Sequence, residues 1–347
     1  MEKFLNIGDK KVGEGHPCFF IAEIGSNHDH DYEKAIKLID LAAEAKVDAV
    51  KFQTFKADEH YSKLAPKFEY LKGKDTYSLI ESLEINRDWH APLKEYCESV
   101  GLIFISSPCD YEAVDQLAEI DMQAYKVASF DLPDTLLIKK IAQKSKPIIL
   151  STGMANMEDI RLAVNTSLEA GNSDIALLQC TSIYPAPSKL SNLNAIKNMK
   201  DEFNLVTGYS DHTMGNHICL SAVSMGASII EKHYTLSRNS EGPDHGFAIE
   251  PDELKLLMIQ LREVEEAMGD GIKDGPREEE LDMFKKGRRS IHAAKFIKNG
   301  EKIYKEMLVI KRPGLGLHPK HLDEIIGKKT KRDIKEDEWI TLDALDL

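Results

Sequence analysis

The chain has 347 residues, is 42% hydrophobic and 30% charged, and carries a formal net charge of −13 at pH 7. That acidity argues against a nucleic-acid partner. No apolar run approaches the ~20 residues that a membrane-crossing helix needs, and Met1–Gly15 is polar and mixed in charge, unlike a secretory signal. Of the five cysteines, Cys18, Cys97, Cys180 and Cys219 lie in apolar surroundings and read as small buried hydrophobes. Cys109 follows Ser-Pro at a strand end and could line a site. With no C-x-x-C pair, the set fits a reducing cytoplasm.

In chain order, Cys18–Ile24 is predicted as the first strand and Asp31–Ala45 as an amphipathic helix with Ala35, Leu38, Ile39 and Ala42 on one face. Asp48–Gln53 is the second strand. Thr54–Thr76 is then too long for an ordinary βα loop and reads as a lid. The alternation continues with helix Asp88–Val100, strand Leu102–Ser106, helix Tyr111–Glu119, strand Ala124–Ala128 and helix Asp134–Gln143. Strand Pro147–Leu150, helix Met157–Ala170, strand Ile175–Gln179 and helix Leu193–Met199 follow. The barrel portion closes with strand Asn204–Tyr209, helix Gly215–Gly226, strand Ser228–Glu231 and helix Pro251–Met268. Eight strand–helix repeats are the count of a TIM barrel. The rival, an open doubly wound sheet, usually carries G-x-G-x-x-G after its first strand, and E-I-G-S-N-H has no such pattern.

The domain reading is a barrel over 1–270, a glycine- and charge-rich linker over 271–286, and a small domain over 287–347 built of short apolar runs. The small domain holds 14 Lys+Arg against 10 Asp+Glu, a net of +4, which leaves −17 for the rest. A basic cap docking on an acidic barrel fits this balance. So does a small domain merely solvated by lysines.

In a TIM barrel the chemistry lies at the carboxyl ends of the strands. Those ends supply Glu23, Asn27 and His28; Lys51 and Gln53; Ser106 and Ser107; Lys126, Ser129 and Asp131; Ser151 and Thr152; Gln179, Thr181, Ser182 and Tyr184; Ser210, Asp211 and His212; and Glu231, Lys232 and His233. His212 and His233 close consecutive parallel strands, so both imidazoles can face one point. Together with Asp211 and Glu231 they suit a divalent metal, or they are unrelated polar loop residues. Lys51 and Lys126 sit inside apolar strands, where an unpaired lysine is costly. With Ser129, Ser151 and Ser210 they suit a phosphate and a carboxylate; a Schiff base or an internal salt bridge is the other reading. Glu23 is a general acid or base, or the salt-bridge partner of one lysine. Asp244 and His245 in E-G-P-D-H-G-F read as a turn over the same face, or as a substrate contact.

The motifs A-E-I-G-S-N-H, K-F-Q-T-F, Y-K-V-A-S, S-T-G-M-A, C-T-S-I-Y-P-A-P, G-Y-S-D-H-T, E-K-H-Y and G-P-D-H, in this order, resemble the sialic acid synthase family. R-R-S-I-H-A-A-K, K-R-P-G and G-L-H-P resemble that family's C-terminal antifreeze-like (SAF) domain. The resemblance spans nearly the whole chain. It implies a TIM barrel with a small SAF domain, and a homodimer in which one subunit's small domain caps the other's active site. It implies condensation of phosphoenolpyruvate with an N-acyl hexosamine, with release of phosphate. N-acetylmannosamine, giving N-acetylneuraminate, is the first choice of sugar.

The implied roles follow position by position. His212 and His233 hold a divalent metal, Mn²⁺ foremost, with Mg²⁺ or Co²⁺ as alternatives. Lys51, Lys126, Ser129, Ser151 and Ser210 bind phosphoenolpyruvate, with Gln53, Ser107 and Ser182 beside them. Glu23 handles the proton or the water. Tyr184, Asp244 and Asp131 face the sugar, and Arg312 reaches in from the partner subunit.

Asp131 departs from the glutamate usual in the N-acetylmannosamine branch. The A-S-F context leans towards pseudaminate and spore-coat synthases, whereas C-T-S-I-Y-P-A-P leans towards sialate and legionaminate synthases. A 3-deoxy-aldulosonate phosphate synthase, a Schiff-base aldolase and a glycan-binding protein are the rivals from other classes.

Overall fold

A hairpin that the sequence reading missed opens the chain. β1 (Phe4–Ile7) pairs antiparallel with β2 (Lys10–Gly13), joined at Gly8–Asp9 with Gly8 at φ +60°, the glycine-dependent geometry of a tight hairpin. Its signal is weak because each strand has four residues and only Leu5, Ile7 and Val12 turn inward. The computed structural model describes residues 3–66 and 75–346. The chain divides into two units, Met1–Gly269 and Asp270–Leu347.

Eight parallel strands of the first unit close into a barrel: β3 (Phe19–Gly25), β4 (Ala49–Thr54), β5 (Ile103–Pro108), β6 (Tyr125–Val127), β7 (Ile148–Ser151), β8 (Ile175–Cys180), β9 (Val206–Asp211) and β10 (Ile229–His233). β10 pairs back onto β3, with His233 opposite Glu23. Because strand side chains alternate, each strand divides its residues between two cores. Phe19, Ile21, Ile105, Ile149, Leu178 and Ile229 fill the lower interior, and Leu5, Ile7 and Val12 of the hairpin join them. Ala22, Val50, Phe104, Leu150, Leu177 and Ile230 point outward and pack under the helices. The helix Tyr32–Glu44 shows the local logic. Asp31 accepts the Lys34 N–H at its start, and Ala35, Leu38, Ile39 and Ala42 are the buried stripe. Such a cap is worth roughly 1 kcal/mol.

The expected lid, Thr54–Thr76, contains the short helix Ala57–His60 and the start of the helix Thr76–Glu81. Its residues 67–74 lie outside the described residues.

In the second unit, Ser290–Ala293 pairs with Leu308–Lys311, and Lys329–Thr330 with Leu345–Asp346. The stretch expected as a linker belongs to this unit and carries the helix Leu281–Gly287. The unit contains an internal repeat at constant offset: Ile297, Ile303 and Leu308 recur as Ile334, Ile340 and Leu345. Ile297 and Ile334 donate backbone hydrogen bonds to each other at 2.9 and 2.8 Å. In each copy a glutamate (Glu301, Glu338) accepts the N–H of the lysine three residues before it. No described helix is long and apolar enough to cross a membrane.

Candidate active site

The upper, carboxyl-terminal layer of the barrel interior is charged. Glu23, Lys51, Lys126 and Glu231 are 1%, 3%, 2% and 4% exposed, and all line one cavity. Each is held on the inner face by strand alternation. Burying four charges is tolerable only if they are paired. Lys51 Nζ lies 2.8 Å from Glu23 Oε2 and 3.9 Å from Glu231 Oε1, and Lys126 Nζ lies 3.6 Å from Glu231 Oε1. Gln53 donates to Glu23 Oε1 at 2.7 Å, Lys51 to Ser107 Oγ at 3.3 Å, and Ser210 to Glu231 Oε1 at 3.3 Å.

The charges divide unequally. Burial lifts Glu23 above the usual carboxylate range and Glu231 adds to the lift, while Lys51 and Gln53 oppose it. Burial acts on Glu231 too, but Lys126 and Lys51 outweigh it and hold that carboxyl low. Burial works against the Lys51 ammonium, yet Glu23 and Glu231 carry it above the ordinary lysine value. Lys126 has less compensation, and burial draws it down. Lys126 is thus the less strongly neutralised cation.

Beside the lysines stands a cradle of small polar groups. The Gly153 N–H donates to Ser129 Oγ at 3.0 Å. A Cβ on Gly153 would sit 2.3 Å from Ser182 Oγ and 2.8 Å from Ser129 Oγ. The buried hydroxyls of Ser151 and Ser182 have no hydrogen-bond partner among the described residues. Unsatisfied donors beside a buried ammonium are the chemistry of an anion site.

His212 and His233 stand at the same mouth, their ring centroids 5.4 Å apart. Tyr184 lies over His212 at 4.4 Å, and Phe247 over His233 at 4.9 Å. His212 Nδ1 is 2.8 Å from the Thr181 carbonyl and donates to it. Burial opposes charging of the ring, but Cys180, the Thr181 carbonyl and Glu231 hold its pKa above the ordinary value, and the neutral form presents the Nε2 lone pair. Asp244 Oδ2 lies 3.7 Å from His233 Nδ1. Burial, with Glu23 nearby, pushes the Asp244 carboxyl up to about 6.

The cavity is also lined by Phe55, His60, Thr76, Leu79, Ile80, Leu83 and Asp131. Burial raises the Asp131 carboxyl, and His60 Nδ1 stands 4.0 Å from it.

Most of the residues singled out in the sequence therefore converge: Glu23, Lys51, Gln53, Ser107, Lys126, Ser129, Asp131, Ser151, Tyr184, Ser210, His212, His233 and Asp244 line the cavity, and Ser182 abuts Gly153. Others are elsewhere. Asp211, expected beside the histidines, points outward and pairs with Lys232 at 2.6 Å. Asn27 donates to the Tyr234 carbonyl, and His28 packs against Phe52 and Trp89. Ser106, Thr152, Gln179 and Thr181 hydrogen-bond within the scaffold. His245 faces Thr235 and Asp29, at 2.6 and 2.9 Å. Arg312 lies in the second unit, where its Nε donates to the Gly287 carbonyl at 2.6 Å.

Cys180, Glu231 and His60 are among the cavity residues that the sequence did not mark. Cys180, expected as a core hydrophobe, faces the cavity with its Sγ 3.8 Å from His212 Nδ1. Glu231, expected as a neighbour of the histidines, stands between the two lysines. Strand parity marks both as inward. His60 carried no signal, because the excursion holding it has no period.

A closed eight-stranded parallel barrel whose upper interior carries these side chains invites comparison with known proteins. The NeuB family model matches residues 38–273 and the SAF domain model matches residues 288–346. The chain belongs to the NeuB family, that of the sialic acid synthases. Among relatives in this family, the N,N'-diacetyllegionaminic acid synthase of Campylobacter jejuni is 42% identical over 92% of this chain and 98% of that protein. The spore coat polysaccharide biosynthesis protein SpsE of Bacillus subtilis, as a crystal structure, superposes with a TM-score of 0.69 at 34% identity over 99% of both chains. The N-acetylneuraminic acid synthetase of Leptospira borgpetersenii superposes with a TM-score of 0.74 at 33% identity, covering 81% of this chain and 95% of that one. The NeuB match, like the cavity, falls within the barrel and its flank, and the SAF match falls within the second unit.

Proposed function

We propose that this chain is a nonulosonate synthase that condenses phosphoenolpyruvate with an N-acyl hexosamine and releases phosphate. The observation that carries the reading is the meeting of Lys51, Lys126 and the unpartnered hydroxyls of Ser151 and Ser182 with two imidazoles in one barrel mouth. The lysines and the Ser129, Ser151, Ser182 and Ser210 hydroxyls bind the carboxylate and phosphate of phosphoenolpyruvate. Its methylene carbon forms the new C–C bond to the sugar aldehyde carbon. Positive charge then develops at the enol carbon, where water adds. The resulting tetrahedral phosphate hemiketal collapses with C–O cleavage to the 2-keto acid and inorganic phosphate. Glu23 faces this carbon as the acceptor of the water's proton, with Lys51 and Gln53 fixing its carboxylate.

His212 and His233 fit a divalent cation. With Nδ1 donating to Thr181, the neutral His212 ring presents Nε2 to a cation, and His233 Nδ1 is buried without a hydrogen-bond partner among the described residues. Burial keeps His233 well below its ordinary pKa and so neutral. No group of three or more His, Cys, Asp or Glu among the described residues forms a ligand set, so water or substrate oxygens would complete the coordination. When bound, such a cation polarises the aldehyde and stabilises the developing alkoxide.

On the choice of sugar, the cavity favours a 2,4-diacetamido-trideoxyhexose over N-acetylmannosamine. Phe55, Leu79, Ile80 and Leu83 give the cavity an apolar part of its lining. Methyl groups of a 6-deoxy carbon and an acetamide gain about 0.8 kcal/mol per buried carbon there, whereas a hydroxymethyl would lose its water partners. The 42% identity to the legionaminic acid synthase of Campylobacter jejuni, against 33% to the human N-acetylneuraminate-9-phosphate synthase, supports the same choice.

A phosphate-release screen with Mn²⁺ across N-acetylmannosamine, the 2,4-diacetamido-trideoxyhexoses and arabinose 5-phosphate tests both levels. The diacetamido sugar is expected to react with the highest kcat/KM. Faster turnover of N-acetylmannosamine would overturn the sugar assignment, and no release with any acceptor would overturn the synthase reading. Gly153→Ala tests the anion cradle. It is expected to fold and to weaken phosphoenolpyruvate binding by about tenfold or more, because the new methyl overpacks the two serines. Unchanged affinity by titration would place the phosphate elsewhere.

A further inference from the structure

We propose that Lys232 and Asp211 are positioning residues that hold His212 and His233 on a common point from behind the barrel wall. The inference rests on the metal reading above. The two residues are register partners on adjacent strands, and each immediately precedes one of the histidines. Alternation turns Ser210, His212, Glu231 and His233 inward and Asp211 and Lys232 outward. There Lys232 Nζ donates to Asp211 Oδ2 at 2.6 Å and to the Thr213 carbonyl at 2.7 Å. Asp211 Oδ1 accepts the Thr213 N–H at 2.9 Å, and Cys219 Sγ donates to Oδ2 at 3.1 Å. The residue that follows His212 is therefore gripped at both its N–H and its carbonyl. The grip is anchored on the residue before His233.

Asp211, Lys232 and Thr213 are almost wholly buried, in a layer otherwise built largely from aliphatic and aromatic side chains. A buried ion pair there adds little stability over an apolar pair of similar volume. What it adds is direction. β9 ends at Asp211, so the His212 backbone lies beyond the ladder, where its carbonyl accepts the Ala186 N–H at 2.8 Å. Lys232 and Asp211 add a second constraint through Thr213, and the Thr181 carbonyl fixes the ring.

The test uses the full-length chain and the double variant Asp211→Leu/Lys232→Met, which removes both charges together, with His212→Ala as reference. Metal-free protein is titrated with Mn²⁺ and, separately, with phosphoenolpyruvate. NMR of the free protein follows the His212 Nδ1 proton donated to Thr181. The double variant is expected to fold and to bind phosphoenolpyruvate as the parent does. It is also expected to bind Mn²⁺ roughly 10–100-fold more weakly, the usual loss when the outer support of a ligand goes, and to lose protection of the imidazole proton. A folded double variant with parental Mn²⁺ affinity and an unchanged imidazole proton overturns the proposal. So does an equal loss of Mn²⁺ and phosphoenolpyruvate affinity, which marks a general distortion. If the double variant does not fold, Asp211→Asn carries the same readings, with a smaller loss expected and no loss overturning the idea. Parental protein whose Mn²⁺ binding ignores His212→Ala defeats the metal reading instead, and the imidazole proton then decides the clamp by itself.

Discussion

Glu23→Gln is expected to leave the fold intact and to cut kcat by about 10²–10⁴, the range for a lost general base, or roughly 3–5 kcal/mol of transition-state stabilisation. The glutamine keeps the volume and can still meet Lys51, which also retains Glu231 at 3.9 Å. The barrel therefore does not gain an isolated buried ammonium. What disappears is a carboxyl whose affinity for a proton burial has raised, at the layer where the enol carbon is expected. KM for phosphoenolpyruvate should change little, because the lysines and serines remain. Steady-state kinetics with a thermal melt of each protein checks this. Parental kcat in a folded variant would remove Glu23 from the chemistry and leave it as the salt-bridge partner of Lys51.

His212→Ala is the second large effect. Two imidazoles are the whole protein contribution to the proposed cation site among the described residues, so deleting one should weaken Mn²⁺ binding by more than about 100-fold, beyond what an outer partner costs. Activity should fall in parallel and recover only partly at high Mn²⁺. Stability should change little. The His212 ring donates to the Thr181 carbonyl and lies 3.8 Å from Cys180 Sγ, so the variant loses few polar contacts. Isothermal titration of metal-free protein provides the measurement. A parental dissociation constant in the variant would dismiss the histidine pair as a metal site and leave the anion cradle standing.

Much of the barrel was legible in the residues. Strands β3 to β10 and the helices after them follow the apolar periodicity closely, and the helix Pro251–Met268 ends where its pattern does. The polar strand ends were legible too, since a lysine within A-V-K-F or A-Y-K-V has few fates in a buried strand. The hairpin β1–β2 was not legible, because three inward apolar residues in two short strands leave no period to detect. The helix Leu281–Gly287 was hidden for a similar reason: none of its residues is buried, so no apolar stripe marks it.

The sequence by itself determined the eight-fold alternation and the family motifs, along with most of the side chains in the cavity. These follow from local rules, in which the period decides the element and the parity decides the face. Only the tertiary structure decided the partners. Closure of β10 onto β3 sets His233 against Glu23. Glu231 falls between Lys51 and Lys126, and strand register takes Asp211 away from the histidines and gives it to Lys232. Those pairings join residues far apart in the chain, and their geometry depends on how many strands close the barrel and with what stagger. No short window of sequence carries that quantity.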